Sequence, residues 1–247
     1  MTIETSQLVV GGIPIQIVRK PIKNLHLGVY PPNGRVRVAA PLRINDNAVR
    51  LAVVERLKWI KRQQARFESQ LRESRREMVT GESHFVFGAR YRLRIIQNDR
   101  RRGVVIKNRS RLEVHIPPDA DLPHRQLILQ KWYRGLLKEA APPLLLKWKT
   151  ILGTEFSDWR IRRMKTKWGA CNVEAGRIWL NLELAKKPLQ CLEYVIAHEL
   201  AHLIERHHND RFVAILDRHL PQWRTHRAKL NSAPLAHETW DRSRQAI

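Results

Sequence analysis

The chain has 247 residues, of which 43% are hydrophobic and 28% charged, a balance typical of a globular protein with a buried core. Its 46 lysines and arginines outnumber 23 aspartates and glutamates, so the net charge of +23 attracts polyanions such as nucleic acids. Two cysteines, the absence of a bilayer-length apolar run and the lack of a signal-peptide pattern argue against secreted disulfide-rich and membrane proteins, and we expect a cytoplasmic protein.

The N-terminal region is predicted to be rich in β-strands and to contain one long helix. Alternating apolar residues flank Asn33-Gly34, a dipeptide that favours a hairpin turn. Asn45 or Asp46 can then cap a helix, because apolar residues recur at helical spacing over residues 49–71. A second pair of strands follows Gly81, and no internal repeat is visible in the sequence.

The second predicted hairpin is strongly basic. From Arg90 to Arg111 the sequence contains nine lysines and arginines and a single acidic residue, Asp99. If a surface of this protein contacts DNA or RNA, this hairpin is a leading candidate, although a solvated strand face gives the same pattern.

The C-terminal half is predicted to be mostly helical. A helical pattern covers residues 122–152, and Pro142-Pro143 is expected to bend or divide it. Two short strands are expected around residues 174–176, and Pro188 begins a further helix. We therefore expect an α+β protein with three parts: a β-rich region with one long helix at 1–118, a mostly helical core with a small antiparallel sheet at 119–232, and a polar tail at 233–247.

The chemically informative segment is His198-Glu199-Leu200-Ala201-His202. Histidines four residues apart lie about 40° apart around a helix, so both imidazoles can reach one metal ion. Glu199 lies beside them, placed to take a proton from the attacking water. Apolar residues cover most of the remaining helix surface, and buried imidazoles and carboxylates are costly to desolvate without a partner. The pattern indicates a zinc site with His198 and His202 as ligands and Glu199 as general base.

A catalytic zinc site needs a third protein ligand and leaves one position for water. His208 is the leading candidate, provided that the chain leaves the helix between Glu205 and His207 and turns back. His207 and Glu205 are the alternatives. Asn209 or Asp210 can cap the helix that follows.

The histidine segment is one of four motifs that occur in a fixed order along the chain. They are Lys165-Thr166-Lys167-Trp168-Gly169-Ala170-Cys171, Ile178-Trp179-Leu180-Asn181, the segment from Tyr194 to Leu203, and His208 with Phe212. Together they resemble the motifs of the YgjP-like metal-dependent hydrolases, a family related to the SprT-like zinc metallopeptidases. Residue 170 is Ala where Ser is common in the family, so no hydroxyl role is assigned there.

The resemblance implies a zincin-like core, with zinc held by His198, His202 and His208 and with Glu199 as base. It also implies hydrolysis of peptide bonds in a peptide or protein substrate, and the SprT-like relatives act on proteins attached to DNA. In zincins, a strand placed like residues 178–182 commonly offers its edge to an extended substrate.

Two other functions stay open: a nucleic-acid-binding module with a structural zinc site, and a metal-dependent hydrolase of non-peptide bonds. Trp168 and Gly169 are expected to form a tight strand end that packs against the zinc helix. Cys171 has an alternative role as an inhibitory or auxiliary zinc ligand. Tyr194 is one candidate for stabilising the oxyanion. Asp217 and Glu205 are candidates for the carboxylate that orients the imidazoles.

Overall fold

In this computed structural model the described residues are 5–30, 34–69, 76–98, 102–164 and 167–232. They form an α+β arrangement of three sheets and six α-helices, and none of these helices is long and apolar enough to span a membrane. The described residues divide into two compact units, 5–69 and 76–232, and residue 118, the expected boundary, lies within the second. Asn33, Lys165, Thr166 and the expected polar tail lie outside the described residues.

The first unit contains a four-stranded sheet and two helices. The sheet has the order β1-β2-β4-β3, in which two antiparallel hairpins are joined by a parallel contact between β2 and β4. Asn45 caps the first helix by accepting a hydrogen bond from the Ala48 N–H. The elements are β1 (Thr5–Val10), β2 (Ile13–Lys20), β3 (His26–Tyr30), β4 (Arg35–Pro41), α1 (Asp46–Glu55) and α2 (Leu57–Ser69).

The single long helix expected in this unit is interrupted at Arg56. The Arg56 N–H bonds to the Val53 carbonyl at 3.1 Å, a tightened turn that ends α1 before α2 begins. Val49, Val53 and Ile60 are all fully buried in one cluster. No glycine or proline lies at the break, so tertiary packing rather than a helix-breaking residue sets its position.

The second unit begins with a sheet of the same topology. Its order is β5-β6-β8-β7, again two antiparallel hairpins joined by one parallel contact, between β6 and β8. This repetition of topology is not visible as a sequence repeat. The strands are β5 (Ser83–Val86), β6 (Ala89–Gln97), β7 (Gly103–Lys107) and β8 (Arg111–Ile116).

A continuous helix, α3 (Leu122–Leu152), follows this sheet. The expected division at Pro142-Pro143 is wrong. Proline has no N–H, so the carbonyls of Lys138 and Glu139, four residues before the two prolines, lose their helical hydrogen bonds. All four residues are exposed, so water can hydrogen-bond to these carbonyls instead. A buried stripe holds the helix on both sides of the prolines and comprises Leu129, Tyr133, Leu137, Ala141, Leu145 and Trp148.

A three-stranded sheet comes next, formed by β9 (Asp158–Arg162), β10 (Gly169–Asn172) and β11 (Arg177–Asn181). The two strands expected around residues 174–176 are β10 and β11, which pair antiparallel. The expectation of an antiparallel sheet is wrong as a whole, because β9 adds a parallel contact on the other side of β11. β11 is therefore the central strand and has no free edge, whereas β10 lies at the edge of the sheet.

Three helices complete the second unit: α4 (Leu189–Ala201), α5 (Asp210–His219) and α6 (Trp223–Ser232). α4 packs against α3, where Trp148 Nε1 and Lys147 Nζ donate to Glu193 Oε1 over 3.2 and 2.6 Å. The apolar residues of α3, α4 and both sheets of the unit form one continuous core. This core fixes α4, which carries the histidine pair.

Candidate metal centre

α4 is buried on most sides because its sequence is apolar on nearly every face. Pro188 precedes it, as expected, and nine of its thirteen residues are buried. His198 and His202 lie one turn apart on the side that faces a cleft, and their ring centroids are 4.9 Å apart. A buried, well-packed helix holds both imidazoles in fixed positions.

The chain leaves α4 directly after Ala201, earlier than the sequence analysis expected. The N–H groups of Leu203 and Ile204 bond to carbonyls three residues back, which tightens the last turn. Asn209 then caps α5 by accepting a hydrogen bond from the Phe212 N–H at 3.0 Å. Between these two turns the chain reverses and returns His208 to the histidine pair.

The returned imidazole completes a cluster of three. His208 Nε2 lies 3.0 Å from His198 Nε2, and one ring nitrogen from each of His198, His202 and His208 lies within 4.8 Å of the others. Zinc binds imidazole nitrogen at about 2.0–2.1 Å, so two nitrogens on one ion lie at most about 4.2 Å apart. The 3.0 Å pair meets this limit, and the three nitrogens are close enough together to be drawn onto a single ion. Among the described residues, neither His207 nor Glu205 belongs to the cluster.

A backbone carbonyl orients one of the imidazoles. His202 Nδ1 lies 3.1 Å from the Glu205 carbonyl oxygen, which favours a proton on Nδ1 and leaves Nε2 free as a donor to a metal. The Glu205 carboxylate instead accepts the His207 N–H, so the expectation that this carboxylate orients an imidazole is wrong. Asp217 is also not the orienting group, because it accepts hydrogen bonds from Trp223 and Arg224.

All three imidazoles favour the neutral form, in which a ring nitrogen can bind a metal. Burial lowers the pKa of His198 to about 3, and the charges of His202, His208 and Arg227 act in the same direction. Burial also lowers the pKa of His202 and of His208. No proton therefore has to leave these ring nitrogens before a cation binds near neutral pH.

Phe212 forms the apolar wall behind the cluster. Its ring centroid lies 4.9, 4.6 and 4.8 Å from those of His198, His202 and His208, and the side chain is almost fully buried. Aromatic contact on one side restricts how each imidazole can rotate. The sequence analysis named Phe212 only as part of a motif, and its position four residues after His208 was the signal for this role.

The Glu199 carboxylate lies next to the cluster and against β10. Only 6% of Glu199 is exposed, and burial raises its pKa to about 8, opposed by the charge of Lys167. Gly169 is packed so closely that a Cβ atom there would lie 2.5 Å from Glu199 Oε1. Glycine at position 169 therefore leaves room for the Glu199 carboxylate. The sequence analysis expected Gly169 to pack against the zinc helix, and the structure brings it against the glutamate of that helix.

Asn181 holds the loop that leads into β10. Its Nδ2 donates to the carbonyls of Met164 and Lys167 over 2.8 and 2.7 Å, and its Oδ1 accepts the Glu183 N–H at 3.1 Å. The side chain is 4% exposed, so these bonds are shielded from water. Asn181 thereby places Gly169 beside Glu199. Sequence reasoning found this residue only within a motif.

The cluster opens into a cleft of 710 Å³. One wall is β10 and the turn after it, residues 168–174, and β10 is an edge strand of its sheet. The cations Lys167, Arg206 and Arg227 also line the cleft, together with Tyr194. Arg227 was not predicted, because nothing in its local sequence connects α6 with the histidines. Arg206 lies in the turn that was expected to return His208, but no role in the cleft was predicted for it.

Cys171 lies in the same wall but does not belong to the histidine cluster among the described residues. Burial raises the pKa of its thiol to about 11, and the charge of Glu199 adds to the effect. A protonated thiol is a poor metal ligand. The position therefore supports a packing role more than the alternative role as an auxiliary ligand.

Comparison with known proteins adds a family match over most of the chain. The model of a family described as YgjP-like, metallopeptidase domain, matches residues 23–233. A solved structure of the metallopeptidase zymogen of Pyrococcus abyssi abylysin is 25% identical, with a TM-score of 0.34, over 36% of this chain and 89% of its own. No curated protein matches the chain.

Proposed function

The chain belongs to the YgjP-like metallopeptidase family, and from this premise we propose that it hydrolyses peptide bonds at a zinc ion bound by His198, His202 and His208. The observation that carries the proposal is the convergence of these three imidazoles in a cleft that the buried Glu199 also lines. Three nitrogen donors with a fourth position open to a cleft are typical of catalytic zinc rather than structural zinc, which is closed by four protein ligands.

The bound ion would supply Lewis-acid chemistry, lowering the pKa of water and polarising the scissile carbonyl. Glu199 is the general base in this proposal. Burial raises the pKa of its carboxyl group, so the ionised form is a stronger base than an exposed glutamate, and the charge of a bound cation would favour that ionised form. It takes the proton from the attacking water and transfers it to the leaving amine, and Gly169 leaves room for this movement.

The substrate backbone is proposed to pair with the free edge of β10. The sequence analysis assigned this role to residues 178–182, but β11 is paired on both sides. β10 is an edge strand whose residues line the cleft, which supports this proposal, and an added strand would be recognised through main-chain hydrogen bonds. Arg227 and Tyr194 line the same cleft and can donate to the negative oxygen that develops during attack.

Glu199→Gln tests the proposal. The variant keeps the hydrogen-bonding shape of the side chain but removes the base, so peptide hydrolysis should fall by about 100-fold or more while zinc content stays at the wild-type level. Zinc is measured by metal analysis of the purified protein, and cleavage by mass spectrometry of a peptide library.

Glu174→Gln is the matched control, because Glu174 lines the same cleft but is exposed, lies in the turn after β10 and has no part in the proposed proton transfer. This variant should keep most of the activity. Wild-type activity in Glu199→Gln would contradict the proposed base. Zinc binding without cleavage of any peptide by the wild type would favour the structural-zinc or non-peptide alternatives.

A further inference from the structure

The outward face of the second sheet is strongly basic. Residues directly opposite in the register share a face, and the pairs Arg92↔Arg111 and Lys107↔Arg111 place these three cations together across β6, β8 and β7. Arg90 and Arg94 lie two residues either side of Arg92 on β6 and so point to the same side. The opposite face packs Leu93, Leu112 and Val114 into the core.

These five cations are exposed and almost unneutralised. Arg90, Arg92, Arg94, Lys107 and Arg111 are all exposed to solvent. In the register, Glu113 is the acidic residue on this face, and its carboxylate lies 3.9 Å from Arg94 at the edge of ion-pair distance. Within the described ranges, the other four cations form no ion pair with a carboxylate. Such an array attracts a polyanion.

The spacing along β6 suits an extended phosphodiester backbone. Alternate residues of a strand are about 6.6–6.8 Å apart, so Arg90, Arg92 and Arg94 start from one row of backbone positions on the same side of β6. An extended single strand presents its phosphates in such a row, one after another. A duplex would present them along a curved path instead.

An aromatic side chain borders the row. Phe85 lies directly opposite Arg90 in the β5–β6 register, is half-buried, and does not belong to the core cluster of the unit as far as the chain is described. Single-stranded nucleic acid is commonly bound by cations that follow the backbone together with aromatic rings on which bases stack.

We propose that this face, formed by Arg90, Arg92, Arg94, Lys107, Arg111 and Phe85, binds single-stranded nucleic acid. The site is separate from the histidine cluster and does not depend on hydrolysis. The cations contact successive phosphates, and the Phe85 ring stacks on a base at the β5 side. The ligand is thereby recognised by its charge and its unpaired bases rather than by its sequence.

Binding of a fluorescein-labelled oligothymidylate of about twenty nucleotides to the full chain tests the proposal. Five phosphate contacts predict a slope of about −3.5 in log affinity against log salt, or about a 100-fold loss between 50 and 200 mM salt. Arg90→Gln/Arg92→Gln/Arg94→Gln should leave about two contacts and reduce that loss to about 7-fold.

A matched triple variant separates this face from the overall charge. Arg50→Gln/Lys58→Gln/Arg62→Gln removes three exposed cations from the helices of the first unit and should keep the wild-type slope. An equal change of slope in both triple variants, or an unchanged slope in the sheet variant, would overturn the proposal. Circular dichroism of each variant checks that it is folded.

Phe85→Leu tests whether the face binds single-stranded rather than double-stranded nucleic acid. It should weaken oligothymidylate binding about 5-fold or more while leaving the salt slope unchanged, because stacking is lost and the phosphate contacts stay. Binding of a duplex of the same length as tightly as the single strand, with no effect of Phe85→Leu, would refute single-strand recognition. The Glu199→Gln variant should bind as the wild type does, so this outcome is independent of the peptidase proposal.

Discussion

The two four-stranded sheets have the same topology but different surroundings. Each has two hairpins joined by a parallel contact, and each first hairpin closes with a two-residue turn, Gly11-Gly12 in one and Phe87-Gly88 in the other. All four turn residues have positive φ, between 43° and 86°, as the tight turns of two-residue hairpins require. The first hairpins of both sheets are therefore closed by the same kind of tight turn.

The difference lies in what each sheet packs against. The first sheet is followed by α1, a helix of 10 residues, and shares a small core with α1 and α2. The second is followed by α3, a helix of 31 residues, and its core continues through α3 into α4. The histidine cluster is held by this second core, because α4 and Phe212 pack into it. The shared sheet topology therefore does not determine where the histidine cluster lies. Its position is determined by α3 and by the elements that pack on α3.

Removal of the third histidine is the largest expected effect in the second unit. His208→Ala should weaken zinc binding by more than about 100-fold and abolish measurable hydrolysis, because two imidazoles alone remain to hold the ion. Zinc affinity is measured by competition with a chromogenic chelator.

His207→Ala is the control for this experiment, since His207 is the adjacent residue and is not in the cluster. It should behave like the wild type. If His207→Ala lost zinc and His208→Ala kept it, the assignment of the third ligand would be wrong.

Alanine substitutions at two glycines, one in each unit, test whether catalysis depends on the second unit alone. Gly169→Ala places a Cβ at 2.5 Å from Glu199 Oε1, so the carboxylate must move, and hydrolysis should fall by about 100-fold with zinc retained. In the first unit, Gly34 has a φ of +64°, and the Cβ added by Gly34→Ala would lie 2.6 Å from Gln64 Cγ. This variant should lower the free energy of unfolding by about 1–2 kcal/mol.

Kinetics, zinc content and urea unfolding measured on both variants give the comparison. We expect an activity defect from Gly169→Ala and a stability defect without loss of hydrolysis per folded molecule from Gly34→Ala. Equal activity losses would contradict the placement of the catalytic machinery in the second unit alone.

The smallest expected effect is a pH dependence that only the second sheet should show. His84 lies two residues before the closing pair of its hairpin, where the first sheet has Leu8. Burial, followed by the charge of Arg76, lowers the pKa of His84 below its usual 6.5, while Glu82 opposes the shift. The unfolded chain therefore binds the proton first, and stability is lost as pH falls below about 6.5.

His84→Leu should flatten the dependence of unfolding free energy on pH between about 7 and 5, and Leu8→His should add a dependence of the same sign. Urea unfolding at a series of pH values measures both. An undiminished slope in His84→Leu would show that other groups cause the loss.

Much of the local structure could be predicted from the sequence. Asn45, Pro188 and Asn209 mark the starts of helices as expected, because capping depends on residues within one turn. The interruption at Arg56, the continuity of α3 through Pro142-Pro143 and the parallel strand β9 could not be predicted in this way. Each depends on packing against residues distant in the sequence.

The sequence by itself determined the pair of histidines one helical turn apart, the glutamate between them and the basic composition, since these follow from spacing and residue type. Only the tertiary structure decided that His208 returns to this pair, that Gly169 lies against Glu199 and that β10 rather than β11 has the open edge. The reason is that helical periodicity acts over a few residues, whereas convergence of a loop, a strand and a helix is fixed by the shared core on which all three pack.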